Sequence, residues 1–345
     1  MCTRPSKGFI ISDDEFGKEL KIFPYDTTYV SKHNSKFVPH KEPLCKQSAD
    51  QIYTKFIEIP CGSCLQCRLK RSKMWADRCL MESQYHTNNW FLTLTYDEQH
   101  LPTEEYIHED TGELLLAHSL QIRDLQLFLK RLRKQFGSGI SYLACGEYGP
   151  KTARPHYHVI LFSDSVVLSD LKLYRQQPNG MSYYMSETLD NIWQNGGVII
   201  GSVTYESCAY VARYVLKKQT GRFNTEETYK KHHITPEFNT MSKRPAIGRR
   251  FYEDHKEELY SMDFISVSTP TGSKKVTTNP YFDKLYAEEH PEKMMFIKLK
   301  RMNSAIETAK QKLNRTDLDY MDYLDVEEAN LEARFVNFRD LNKEL

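Results

Sequence analysis

The 345-residue chain has almost no net charge, only three tryptophans, and no apolar run approaching about 18 residues. Without such a run no membrane-spanning helix is expected, and no membrane partner. The opening residues Met1-Cys2-Thr3-Arg4-Pro5 lack the apolar core of a secretory signal, so the chain is expected to stay in the compartment that makes it. No internal repeat and no low-complexity segment occurs, which excludes a solenoid. Eight cysteines without an export signal point to thiols or metal ligands more than to a disulfide framework.

The formal charge of +1 hides an asymmetry. Segment 61–80 carries Arg68, Lys70, Arg71, Lys73 and Arg78 against Asp77 alone. Segment 217–250 is also strongly basic, and 316–345 is strongly acidic. Solvated helix faces are the plain reading, but a neutral average does not argue against a polyanionic partner.

Three segments are expected: an irregular 1–60 with scattered short strands, a central 61–250, and a mostly helical, charged 251–345. Trp90–Tyr96 is β-rich and reads as a strand. Leu125, Phe128, Leu129, Leu132 and Phe136 form the stripe of a helix that Ser119 can cap and Gly137 stops. Strands are expected at 140–147, 156–162 and 198–204, a short helix from Ser186, and a helix over 206–219. Residues 220–280 read as basic and loop-rich, with Thr316 as a later helix cap. The fold class is α+β, an antiparallel sheet with helices packed on one side.

Two segments carry the chemistry. In Arg154-Pro155-His156-Tyr157-His158 the two imidazoles are two residues apart, so a strand presents them on one face. If 140–147 and 156–162 pair as a hairpin, Glu147 faces His156 and joins the same side. Two imidazoles and a carboxylate suit one divalent ion, Mg²⁺ or Mn²⁺, with Mn²⁺ better matched to nitrogen donors. Half-exposed histidines and a plain surface carboxylate are the competing readings.

Along Tyr210-Val211-Ala212-Arg213-Tyr214-Val215-Leu216-Lys217-Lys218, helical spacing puts Cys208, Val211, Ala212 and Val215 on one side. Tyr210, Tyr214 and Lys217 fall on the other. A packed surface stripe would show the same spacing. A phenol of pKa near 10 attacks poorly at neutral pH unless its anion is stabilised, which a neighbouring ammonium can do while also holding phosphate oxygens.

Cys61, Cys64 and Cys67 have ligand spacing but make only three thiolates, and Cys45, Cys79 or Cys2 could complete a tetrahedral Zn²⁺ site. Free buried thiols and an iron–sulfur cluster are the alternatives. Arg68, Lys70, Arg71, Lys73, Lys218, Lys243 and Arg244 are candidates for nucleic-acid phosphate contacts.

With these residues in view, the sequence resembles the HUH endonuclease superfamily. The resemblance rests on Phe91-Leu92-Thr93-Leu94-Thr95-Tyr96, on His156-Tyr157-His158 preceded by Gly146-Glu147-Tyr148-Gly149, and on Tyr210 through Lys217. More narrowly it is similar to replication initiators of the Microviridae, gokushovirus branch, through Pro60-Cys61-Gly62-Ser63-Cys64-Leu65-Gln66-Cys67-Arg68 and Pro236-Glu237-Phe238-Asn239. The likeness covers about 60–250. It implies a sheet-based, RRM/ferredoxin-like nuclease fold, a divalent metal on His156 and His158, and Glu147 as third ligand. It implies Tyr210 and Tyr214 as nucleophiles, with Lys217 or Lys218 at the phosphate. The implied reaction is a nick in single-stranded origin DNA that leaves the protein on the 5′ end, followed by rejoining. No Walker-type lysine loop is present, so a host helicase and a host polymerase are the implied partners, in the cytoplasm of the bacterial host. An HUH transposase, or a non-catalytic zinc-dependent DNA-binding regulator, are the competing classes.

Overall fold

The structure, a computed structural model, describes residues 2–14, 17–43, 51–108, 111–149, 152–177, 180–214, 229–269 and 272–341. The chain divides into two compact units, a terminal one made of 1–70 and 303–345 and a central one made of 71–302. Both boundaries fall inside helices, those at Leu65–Ser83 and Pro291–Leu313.

The terminal unit holds β1 (Ser6–Asp14), β2 (Gly17–Pro24), β3 (Tyr29–His33), β4 (Lys36–His40), β5 (Gln51–Tyr53) and β6 (Phe56–Ile59). They form two antiparallel three-stranded sheets, ordered β2-β1-β6 and β4-β3-β5. Residues 1–60 are thus more regular than expected. Most of these strands bury little, and β4 buries none of its residues, so no clean alternation marks them in sequence.

In the central unit, α1 (Leu65–Ser83) leads to β7 (Asn88–Thr95), the hairpin β8 (Thr103–Ile107) and β9 (Leu114–His118), then α2 (Ile122–Phe136). There follow β10 (Ser141–Tyr148), β11 (Pro155–Ser163), β12 (Lys172–Gln176), β13 (Ser182–Met185), α3 (Glu187–Trp193), β14 (Val198–Ser202), α4 (Tyr205–Tyr214) and β15 (Phe238–Met241). Seven strands make one antiparallel sheet, ordered β12-β13-β14-β7-β11-β10-β15. The class is α+β, as expected.

Helices cover both faces of this sheet, not one. Leu92, Leu94, Val159, Leu161, Val198 and Ile200 pack with Leu125, Phe128 and Leu132 of α2 and Leu189, Ile192 and Trp193 of α3. On the opposite face Leu143, Cys145, Ile160 and Phe162 pack with Ala76 and Cys79 of α1 and Cys208 and Val211 of α4. The reason is visible in β11. Its two alternating rows are both apolar beyond His158, so neither can be left to water.

Helix ends follow local chemistry. Gly137 stops α2 at φ 87, its N–H donating to Arg133 O. Ser119 does not cap α2, which begins at Ile122. Instead the Ser119 hydroxyl donates to Thr235 Oγ1 (3.0 Å), and the Tyr157 hydroxyl, 2.9 Å from both Gln121 N and Gln121 O, fixes the start of the helix. Ser186 does cap α3, accepting from Leu189 N. Thr316 does not serve as a cap. Asp319 accepts from Met321 N and Asp322 N, starting the helix Tyr320–Leu341.

The stretch expected to be loop-rich carries, among its described residues, β15, a helix at Arg249–Met262 and a strand pair at Phe264–Thr269 and Gly272–Thr277. Phe251, Tyr252, Leu259 and Tyr260 join Ile265, Val267, Val276 and Phe282 in a further core. Charged residues between these aromatics obscured the helical period.

The turn after α3 fixes the end of β7. Asp97 N donates to Asn195 O and Thr95 N to Gly197 O, both at 3.0 Å. Gly196, at φ +147, sits so close that an added Cβ would lie 2.3 Å from Thr95 O. Gly196→Ala is expected to cost roughly 2–3 kcal/mol and lower the thermal midpoint by roughly 5–10 °C. A melt superimposable on that of the parent would refute this account of the turn.

Candidate active site

The hairpin β10–β11 has the register that brings the site together: Glu147 pairs with His156, Cys145 with His158 and Leu143 with Ile160. Glu147, His156 and His158 therefore point to the α4 side of the sheet. β7 supports them from the next strand, with Thr95 opposite His156, Thr93 opposite His158 and Phe91 opposite Ile160.

One carboxylate oxygen does most of the gathering. Glu147 Oε1 lies 2.8 Å from His156 Nε2 and 2.9 Å from His158 Nε2. Glu147 is 3% exposed and His158 6%, while His156 is half-buried. Burial pushes the Glu147 carboxyl up, but hydrogen bonds and charge from the two imidazoles outweigh it and hold the group at about 2, against an ordinary 4.5. This carboxylate is an anion at any working pH.

The outer nitrogens are also engaged. His156 Nδ1 is 3.2 Å from Arg154 O, and His158 Nδ1 is 3.0 Å from Thr93 Oγ1. A carbonyl only accepts, so the proton of neutral His156 belongs on Nδ1 and the Nε2 lone pair then faces an anionic oxygen. That arrangement is stable only with a cation between them, either a proton or a metal ion. Arg154 is itself held in place, its guanidinium donating to Glu98 (2.6 Å) and to Tyr96 O (2.9 Å).

The three donor atoms all lie within 4.8 Å of one another, close enough for one ion. Two neutral nitrogens and one anionic oxygen, with outer partners that orient the rings, fit a divalent metal.

α4 packs on β10 and β11, with Cys208, Val211 and Ala212 buried as the helical spacing predicts. Tyr210 projects into the site. Its ring meets His158 edge-on at 5.1 Å, and its hydroxyl is 3.5 Å from Glu147 Oε1, long for a hydrogen bond. Phe91 stacks on the other side of His158 at 5.5 Å and 9°. Tyr214 closes the described part of α4 at the i+4 position, its side chain outside the described atoms. Lys217 and Lys218 lie outside the described residues, as does Cys45.

The basic candidates are dispersed. Lys70, Lys73, Lys243 and Arg244 are exposed, and Arg68 and Arg71 half-buried. Lys73 pairs with Asp77 at 2.6 Å. Arg78, part of the same basic segment, is buried and holds Ile247 O with two donors. Phe91, Thr93 and Arg154 carry site roles that sequence reading did not assign. The period-2 row Phe91, Thr93, Thr95 was the available signal.

A sheet that presents two imidazoles and a carboxylate beside a helix-borne phenol defines the class of protein here, and comparison with known proteins agrees at family level. The family model for the replication-associated protein ORF2 matches residues 89–219, which include the whole site. Replication-associated protein VP4 of Bdellovibrio phage phiMH2K is 33% identical over 289 residues, covering 81% of this chain and 80% of that protein. Replication-associated protein ORF2 of Spiroplasma virus 4 is 34% identical over 280 residues, covering 79% and 82%. Replication-associated protein ORF4 of Chlamydia phage 1 is 35% identical over 170 residues, covering 46% and 38%. The chain belongs to the replication-associated proteins of the Microviridae. No solved structure matches. Among the described residues, no helix is long and apolar enough to cross a membrane.

Proposed function

We propose that this protein starts rolling-circle replication of the phage genome by nicking single-stranded origin DNA and later rejoining it, acting in the cytoplasm of the bacterial host. The observation that carries the reading is the Tyr210 hydroxyl standing 3.5 Å from the carboxylate oxygen that both imidazoles share. The nucleophile and the metal cradle are then within one phosphodiester of each other.

Glu147, His156 and His158 would hold Mn²⁺ or Mg²⁺, with the nitrogen donors favouring Mn²⁺. When bound, the ion withdraws charge from a phosphate oxygen and orients the scissile group. Tyr210 Oη loses its proton and bonds phosphorus as the bond to the 3′ oxygen breaks. That oxygen takes up a proton and leaves as a 3′ hydroxyl, which a host polymerase extends, with a host helicase opening the duplex. The 5′ phosphate stays on the phenol as an ester that keeps the energy of the broken bond. Tyr214, one turn along α4, makes the second cut while Tyr210 holds the first end, and Lys217 or Lys218 binds the phosphate. Rejoining by the 3′ hydroxyl releases a circle. Arg68, Lys70, Arg71, Lys73, Lys243 and Arg244 contact backbone phosphates.

The test is incubation with end-labelled single-stranded DNA from the phage origin and Mn²⁺. A protease-sensitive covalent adduct on the 5′ side is expected. Cleavage that leaves no protein on the DNA would end the tyrosine mechanism.

A further inference from the structure

The second cluster of metal-type side chains lies wholly in the terminal unit, apart from the site described above. Cys2, Cys61, Cys64 and Cys67 bring their sulfurs within 4.8 Å of one another. Cys2 Sγ is 3.6 Å from Cys61 Sγ and 3.7 Å from Cys64 Sγ. A disulfide needs about 2 Å, so these are four free thiols. A tetrahedron with Zn–S near 2.3 Å sets its sulfurs about 3.8 Å apart, which is the spacing seen here. An iron–sulfur cluster of several irons would spread its cysteines further.

The backbone is arranged for thiolates. Cys61 N donates to Cys2 Sγ (3.4 Å), Cys64 N to Cys61 Sγ (3.2 Å) and Cys67 N to Cys64 Sγ (3.5 Å). Donors aimed at sulfur favour its anionic form. The turn between Cys61 and Cys64 passes through Gly62 at φ 74, which glycine adopts without strain. Four anions so close together need a cation.

The unit also needs a staple. Its buried apolar side chains are few (Phe9, Val30, Cys64, Leu65 and Leu324), and none of the three hydrophobic clusters among the described residues draws on it. Small units with thin cores are commonly held by metal.

We propose that Cys2, Cys61, Cys64 and Cys67 bind one structural Zn²⁺, with Cys2 as the closing ligand, and that this ion clamps the start of the chain to the start of α1 and supplies folding energy to the terminal unit. Ligation displaces the thiol protons and makes the stability of this unit depend on zinc. The site takes a soft ion and plays no part in the chemistry at Glu147. It stands whether or not the nicking reading holds.

The test uses the full chain carrying His156→Ala and His158→Ala, so that only the thiol site is counted, with inorganic Zn²⁺ and Co²⁺ as probes. One zinc per chain should survive dialysis, and Co²⁺ should give the strong visible absorption of a tetrahedral thiolate site. Alkylation mapped by mass spectrometry should find Cys2, Cys61, Cys64 and Cys67 protected together by zinc and labelled together after chelation, with Cys45 indifferent to zinc. Adding Cys2→Ala should lower the zinc content at least about fivefold, while adding Cys45→Ala leaves it unchanged. A chain without zinc, or one that loses it through Cys45→Ala and keeps it through Cys2→Ala, overturns the proposal. The alkylation pattern is read on intact cysteines, so it decides the matter even if Cys2→Ala fails to fold.

Discussion

Replacing Tyr210 and Tyr214 together with phenylalanine should remove the covalent DNA adduct, its yield falling at least about 10³-fold. Phenylalanine keeps the ring that meets His158 and Phe91, so the packing of α4 on β10 and β11 should survive. The contact of the lost hydroxyl with Glu147 is long, at 3.5 Å, and its removal should leave the thermal midpoint within about 2 °C of the parent. Tyr210→Phe alone should lower the adduct on the order of 10²-fold, with Tyr214 supplying the remainder. Adduct yield from the double variant equal to that of the parent would eliminate both phenols as nucleophiles. An unchanged yield from Tyr210→Phe alone would move the first attack to Tyr214.

Loss of the cradle should be as severe. His156→Ala, His158→Ala and Glu147→Gln are each expected to weaken Mn²⁺ binding by more than about 100-fold, the upper end for an outer partner, and to depress nicking with it. Thr93→Val, which removes only the hydroxyl beside His158 Nδ1, should weaken Mn²⁺ by roughly 10–100-fold. Raising Mn²⁺ separates a ligand effect from a folding effect. Variants with weakened ligands recover nicking at high metal, whereas unfolded ones do not. Calorimetric titration gives the affinities, and full nicking at low Mn²⁺ by the double histidine variant would rule out this metal role.

The central hairpin was legible because its chemistry and its periodicity agree. Two histidines two apart, running into Val159-Ile160-Leu161-Phe162, could only be a strand with one wet end, and a turn from Glu147 to His156 set the register. Burial of Cys208, Val211 and Ala212 followed from helical spacing in the same way. What escaped was long-range. Nothing near Cys61 signals that Cys2 returns to it across the first two sheets, and Cys45 was an equally good candidate by spacing. Helices on both sheet faces were missed because α1 reads as a basic surface helix. Its Arg78 in fact turns inward to Ile247, between Trp75 and Tyr281. Thr93 was part of a recognised motif, yet its role depends on which histidine lies across from it, and only pairing shows that.

The division of the chain has a consequence for how it is made. Residues 71–302 form one unit and are framed by the two stretches that make the other. A ribosome therefore exposes every residue of the sheet, the cradle and α4 before it has delivered the second half of the framing unit. It follows that the catalytic unit can fold during synthesis, while its frame must wait until translation is nearly complete.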